Sequence, residues 1–191
     1  MPTPKITVLI GSPRKEGNTT LLVERLTEAA ESSGATVESI RLHDLEIKPC
    51  NACGVCKDDD EKDCVIDDDM QHVYPKIRAS DAVVIASPIY WWNVSAQTKL
   101  FIDRCDALDG PSGNVLGTKR IGVILVYGGA DAFSSGAVNA LRAFQDAFRC
   151  IGSDVVGMIH GSAWSAGAVL ENQRLLDQAA ELGTRLASPG S

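Results

Sequence analysis

Ile6-Thr7-Val8-Leu9-Ile10, followed directly by Gly11-Ser12-Pro13-Arg14-Lys15-Glu16-Gly17-Asn18-Thr19-Thr20, is the stretch on which the reading of this chain turns. A short β-branched apolar run predicts a strand, and the small, polar and basic residues after it predict a tight loop. Leu22, Leu26 and Ala29 then recur at i, i+4 and i+7, the spacing of an amphipathic helix. Strand, loop and helix N-terminus in that order make an anion pocket, because free backbone N–H groups and the positive end of the helix dipole converge there. Ser12, Asn18, Thr19 and Thr20 add hydroxyl and amide donors, and Arg14 adds a cationic fork. The bland alternative is a surface turn before a helix, since Ser, Pro, Gly and Asn are ordinary turn residues.

The type of phosphate ligand narrows by exclusion. A Walker A loop needs four residues between its glycines and a lysine after the second. Gly11 and Gly17 have five residues between them, and Asn18 stands where the lysine would be. They do not supply the Gly-x-Gly-x-x-Gly of a dinucleotide loop either. A monophosphate cradle remains.

Outward from this stretch the pattern repeats. Thr36 to Leu42 reads as a second strand, and Asp67 or Asp68 as the cap of a helix carrying Met70, Val73 and Ile77, with Pro75 awkwardly inside it. Asp81-Ala82-Val83-Val84-Ile85-Ala86 is a nearly continuous apolar strand, as in a parallel sheet covered on both faces. A loop from Ser87 to Asn93 leads to a helix beginning near Ser95, with Leu100, Phe101 and Leu108 inward. Arg120 to Tyr127 is the next strand, and its loop runs to Gly136 before a helix carrying Val138, Leu141, Phe144 and Phe148. Asp154 to Ile159 is the fifth strand, and Leu175, Ala179, Leu182 and Leu186 mark the last helix. Five strands alternating with five helices predict a doubly wound α/β fold, with alternate helices on opposite faces. Ligands bind outside the carboxyl ends of such strands, where the loops Gly11–Thr20, Ser87–Asn93 and Tyr127–Gly136 meet.

Bulk properties set limits. A chain of 191 residues with 45% hydrophobic content suits one domain with a sizeable core. No cationic, apolar leader opens the chain and no apolar run approaches bilayer length, so a soluble cytoplasmic protein is expected. The net charge of −7 argues against nucleic acid. Eight acids and two lysines between Lys57 and Asp69 give a local balance of −6, read as a solvated loop or a surface for a basic partner. Of six cysteines, Cys105 and Cys150 stand alone and are expected to be buried structural thiols. His43, His72 and His160 are scattered and read as structural, and no catalytic triad or paired-carboxylate set is evident.

Ser87-Pro88-Ile89-Tyr90-Trp91-Trp92-Asn93 places three aromatics in seven residues at a strand end. Such rings and exposed amides could flank a flat heteroaromatic ligand, or Trp91 and Trp92 could fill a subunit interface or cover the core. This segment, continued by Val94-Ser95-Ala96-Gln97-Thr98-Lys99 and Phe101-Ile102-Asp103-Arg104, resembles the isoalloxazine loop of the NAD(P)H-dependent FMN reductase family of flavodoxin-like proteins. Gly11 to Thr19 resembles that family's phosphate loop, and the likeness runs from about residue 5 to about residue 160.

The resemblance implies one flavodoxin-like, FMN-binding domain over residues 1–191, with a five-stranded parallel sheet in the order 2-1-3-4-5. It implies FMN with its phosphate on Ser12, Arg14, Gly17, Asn18, Thr19 and Thr20. Pro88, Ile89, Tyr90, Trp91, Trp92 and Asn93 would line the ring, and Gly128, Gly129 and Ser135 would close the other side. Chemistry would lie on the flavin N5, with hydride from NAD(P)H and electrons leaving to a quinone, nitroaromatic, flavin or similar small-molecule acceptor. A homodimer or homotetramer is implied; the charge and the short apolar runs predict no nucleic-acid or membrane partner.

Cys50-x2-Cys53-x2-Cys56-x7-Cys64 has the compact spacing of a [4Fe–4S] ligand set and resembles the motif of iron–sulfur flavoproteins. An electron carrier is therefore the alternative function. Inert thiols, zinc, a disulfide or a redox dithiol at Cys53-Gly54-Val55-Cys56 are the other readings of the same residues. The adjacent acidic run disfavours an already anionic cluster.

Overall fold

The computed structural model describes residues 3–59 and 64–188. Five parallel strands, β1 (Lys5–Ile10), β2 (Thr36–Arg41), β3 (Ala82–Tyr90), β4 (Arg120–Tyr127) and β5 (Asp154–Ser162), pair in the order β2-β1-β3-β4-β5. The helices are α1 (Asn18–Ser32), α2 (Met70–Ala79), α3 (Ala96–Arg104), α4 (Ala137–Ile151) and α5 (Gln173–Ala187). This is the flavodoxin-like strand order expected. Among the described residues no helix is long and apolar enough to cross a membrane.

The two sheet faces carry separate cores because strand side chains alternate. Ile6, Val8, Val84 and Ile124 meet Leu22 and Leu26 of α1 and Leu182 and Leu186 of α5. On the opposite face Leu9, Val83, Ile85, Val123 and Leu125 meet Met70, Tyr74 and Ile77 of α2, Phe101 of α3 and Phe144 and Phe148 of α4. The helices therefore do not alternate between faces, as the sequence pattern led us to expect. The chain steps one way from β1 to β2 and the other way from β2 through β3 to β5. Right-handed crossovers put α1 on one face and α2, α3 and α4 together on the other. That reversal leaves a crevice between the carboxyl ends of β1 and β3.

Several boundaries differ from the sequence reading. The segment expected to be a loop from Ser87 is strand through Tyr90, because Ser87 and Pro88 pair with Leu125 and Val126 of β4. Ile89 and Tyr90 then pair with the two-residue antiparallel strand Asn93–Val94. Strand β5 runs three residues beyond Ile159, alongside Leu125 to Tyr127. Leu108 belongs to a separate 3₁₀ turn, Cys105–Leu108, and not to α3. Pro75 lies inside α2. Cys150 is exposed rather than buried, because it falls on the solvent side of α4.

Candidate functional site

The loop after β1 ends in an uncapped helix. The N-cap of α1 is Gly17, which has no side chain to bond the first-turn N–H groups, and no acidic residue occupies that turn. The orphan donors of Asn18, Thr19 and Thr20 are therefore left for a ligand. Arg14 is exposed, and its guanidinium makes no hydrogen bond or ion pair within the described residues. The loop itself is fastened internally: Arg14 N–H donates to Ser12 Oγ at 3.2 Å, and Thr20 Oγ1 donates to the Arg14 carbonyl at 3.2 Å. At its start Gly11 packs so closely on α3 that a Cβ would lie 1.8 Å from Thr98 Oγ1, so only glycine fits there.

A cavity of about 370 Å³ opens at this point, within the ~300–1,000 Å³ range of small-molecule sites. Ser12, Arg14, Gly17, Asn18 and Thr19 line one end. Pro88, Ile89 and Tyr90 line a second wall, and Val126, Tyr127 and Gly128 a third. Ala163 and Trp164 complete it. A larger cavity, about 650 Å³, lies between α3, α4 and the start of the cysteine segment. Its rim carries Asp103, Asp106 and Asp109, which would repel an anion, so the phosphate reading belongs to the smaller cavity.

Not every residue singled out from sequence lines the cavity. Thr20 is buried with its hydroxyl turned onto the loop backbone. The Asn18 amide nitrogen donates to the carbonyls of Ala163 (3.1 Å) and Ser165 (2.7 Å), and its oxygen accepts from Val169 N–H (3.2 Å). Its side chain is thus a strut that draws the segment after β5 across to α1. Trp91, Trp92, Asn93, Gly129 and Ser135 are absent from the lining. Ser135 Oγ is buried without a partner and stands against Gly129.

Trp91 and Trp92 occupy the two central positions of the hairpin turn between Tyr90 and Asn93, with φ of 47° and 60°. Two positive φ values make a type I′ turn, which Asn-Gly or Gly-Gly favours and bulky L-residues resist. The strained turn is held from the loop after β4. Trp92 Nε1 donates to the Ser134 carbonyl at 3.1 Å, and Asn139 Nδ2 donates to the Trp92 carbonyl at 3.1 Å. Gly136, itself at φ +73°, makes room for the Trp92 ring. Trp91 is 91% exposed, so it covers no core in the monomer.

The sequence reading missed Val126, Ala163 and Trp164. Trp164 is 82% exposed, and its ring lies against Gly128. The available signal was the length of β5: carried to Ser162, the strand puts Trp164 at the rim. Tyr127 is buried, and its hydroxyl shares a hydrogen bond of 3.3 Å with His160 Nδ1. Burial, and then the Asp131 carboxylate, push that phenol above its usual range.

The cysteine segment has a different construction. Arg104 and Asp68 are paired with both side chains fully buried, and Arg104 also donates to the Lys48 carbonyl at 2.9 Å. Asp68 accepts from the Lys48 and Met70 N–H groups, and Asp69 from Glu46 N–H. Burial alone would raise the Asp68 carboxyl, but the bonds from Arg104, Lys48 and Met70 outweigh it and hold it below the usual carboxylate range. Asp68 and Asp69 are therefore structural, not part of a solvated acidic loop. Asp60, Glu61, Lys62 and Asp63 lie outside the described residues.

Above this base, Cys50 and Cys53 are exposed, and Cys56 and Cys64 are half-buried. Lys57 Nζ ties the segment to the Asp106 and Asp109 carboxylates at 2.8 and 2.9 Å. Ala52 N–H points at Cys50 Sγ at 3.4 Å, with Ala52 at φ 55°. Among the described residues, however, no three His, Cys, Asp or Glu side chains stand close enough to hold a metal ion. The four thiols as arranged do not make a cluster cage.

Comparison with known proteins follows the same lines. A sequence profile of the family described as NADPH-dependent FMN reductase matches residues 4–163. The iron-sulfur flavoprotein of Methanosarcina thermophila is 35% identical over 153 residues, 80% of this chain and 77% of that one. YwqN of Bacillus subtilis, whose name describes an NAD(P)H-dependent FMN-containing oxidoreductase, is 27% identical over 93% of this chain and 96% of its own length. Among solved structures, the NAD(P)H:quinone oxidoreductase from Methanothermobacter marburgensis aligns over all of both chains with a TM-score of 0.80 at 16% identity, a likeness of fold.

Proposed function

Since this chain belongs to the NADPH-dependent FMN reductase family, we propose that it is an FMN-dependent oxidoreductase that takes hydride from NAD(P)H and reduces a small diffusible acceptor such as a quinone, a nitroaromatic or a free flavin. One observation carries the reading. The uncapped N-terminus of α1 and the free Arg14 guanidinium open into a cavity whose far walls are residues 88–90 and 126–128. A dianionic phosphate satisfies the first end, and a flat ring fits between the others.

Bound FMN would supply the hydride chemistry, accepting two electrons and passing them on. The chain's own residues bind and orient. Arg14, Ser12 and the first-turn amides anchor the phosphate, while Pro88, Ile89 and Tyr90 border the ring. Trp164 stands against Gly128 at the edge of the third wall. No side chain is required as general acid or nucleophile in this reading.

Anaerobic addition of NADPH or NADH to the FMN-loaded protein tests it. Rapid bleaching of the flavin absorbance by either is the expected result, and no bleaching with both would refute the reductase. A second reading, an electron carrier with a [4Fe–4S] cluster on Cys50, Cys53, Cys56 and Cys64, takes its support from the cysteine spacing and the name of the Methanosarcina relative. Iron and sulfide content after anaerobic purification decides it.

A further inference from the structure

Three hydroxyls outside the cavity lining meet at a buried point between the two ligand-facing loops. Ser87 ends the core stretch of β3, Ser95 is the N-cap of α3, and Thr98 lies in its first turn; all three are fully buried. Ser95 Oγ donates to the Gly11 carbonyl at 2.7 Å, and Ser87 Oγ donates to the Pro88 carbonyl at 2.8 Å. Thr98 Oγ1 stands 2.9 Å from Ser95 Oγ and 3.1 Å from Ser87 Oγ. Ser95 N–H donates back to Ser87 Oγ at 3.0 Å, and Thr98 N–H to Ser95 Oγ at 3.3 Å.

Counting protons fixes the direction of these bonds. Each hydroxyl has one hydrogen. Two are spent on the Gly11 and Pro88 carbonyls, so that of Thr98 goes to Ser87 Oγ, and Ser95 N–H completes the link between the two serines. The chain of bonds therefore ends on one peptide of the phosphate loop and one peptide of the ring wall, and no hydroxyl is spare. Apolar replacements could not tie one loop to the other. Burial of three hydroxyls is tolerated because every one is bonded.

We infer that Ser87, Ser95 and Thr98 are positioning residues that fix the phosphate loop relative to the ring wall, so that the two ends of FMN are bound cooperatively. The inference rests on the FMN reading above. With the loops locked, a seated phosphate delivers the ring to its wall at high effective concentration; with the loops free to shift, each end still binds but no longer assists the other.

Thr98→Val and Thr98→Ser separate this from ordinary stabilisation, since neither removes the helix cap. Apoprotein is titrated with FMN, riboflavin and inorganic phosphate, and affinities are read by flavin fluorescence and calorimetry. Thr98→Val is expected to weaken FMN about three- to tenfold, the effect of one buried hydrogen bond. Riboflavin and phosphate, which each use one loop, stay within about twofold. Thr98→Ser, which keeps the hydroxyl, restores FMN affinity. Ser95→Ala, which also strands the Gly11 carbonyl, weakens FMN further, again sparing riboflavin. Equal loss of FMN and riboflavin in Thr98→Val, or no loss of either, overturns the cooperative role. Wild-type protein that binds neither flavin overturns the FMN reading itself, and this inference falls with it.

Discussion

The cavity at the start of α1 and the cysteine segment are attached to opposite ends of the same helix, α3, and they are built on opposite principles. At the start of α3, neutral hydroxyls and glycine contacts lock two backbone loops while the donors facing the cavity stay unpaired. At its end, Arg104 holds a buried ion pair that clasps Lys48 and Asp68, the two residues flanking the cysteines. The Asp68 carboxylate and the two terminal nitrogens of Arg104 are already bonded, yet the thiols above them do not converge. The first region is locked with its helix donors left open. The second has a finished base and an unassembled top.

The sharpest way to break this contrast is Asp68→Ala. It leaves a buried guanidinium unpaired and should cost about 3–5 kcal/mol of stability in denaturant unfolding. FMN affinity of the folded protein should hold; a parallel loss would show that the two regions are one unit. The same pair sets the acid response. Because the folded Asp68 carboxyl titrates below its unfolded value near 4, its contribution is complete above that value and is lost as pH falls through the lower, folded one. Asp68→Asn should flatten that part of the stability profile, measured by unfolding at stepped pH.

Within the cavity, Arg14→Ala should weaken FMN by about 1.5–3 kcal/mol, with riboflavin affinity and protein stability unchanged. Asn18→Ala should do the reverse in character, costing about 1–3 kcal/mol of stability through the orphaned backbone of residues 163–169. If instead both variants acted on FMN alone, the assignment of Asn18 as a strut would be wrong. The smallest effect belongs to the strained turn. Trp91→Gly removes a left-handed L-residue and should raise stability by about 0.5–1 kcal/mol, read as a higher melting temperature.

Periodicity and punctuation in the sequence were enough for the order of strands and helices, the doubly wound class and the tight loop between β1 and α1. These depend on side-chain alternation and on turn chemistry within a few residues. The distribution of helices between faces was misread because it depends on the direction of each crossover, which no local pattern records. Leu175, Ala179, Leu182 and Leu186 were legible as one buried face, whereas the end of β5 was not, since its last residues owe their strand state to β4.

By itself, then, the sequence determined that a strand, a glycine-bounded loop and a helix would present open N–H groups beside a basic side chain. Only the tertiary structure decided what shares that crevice. Asn18 reaches carbonyls 145 and 147 residues away, and Trp164 arrives at the rim on the segment it holds. Asp68 left the acidic run to meet Arg104, and three unremarked hydroxyls closed on each other between two loops. Local propensity acts along the chain, whereas the partner of a buried polar group is whatever the packed sheet and helices bring to it, and an unpaired one costs too much to leave.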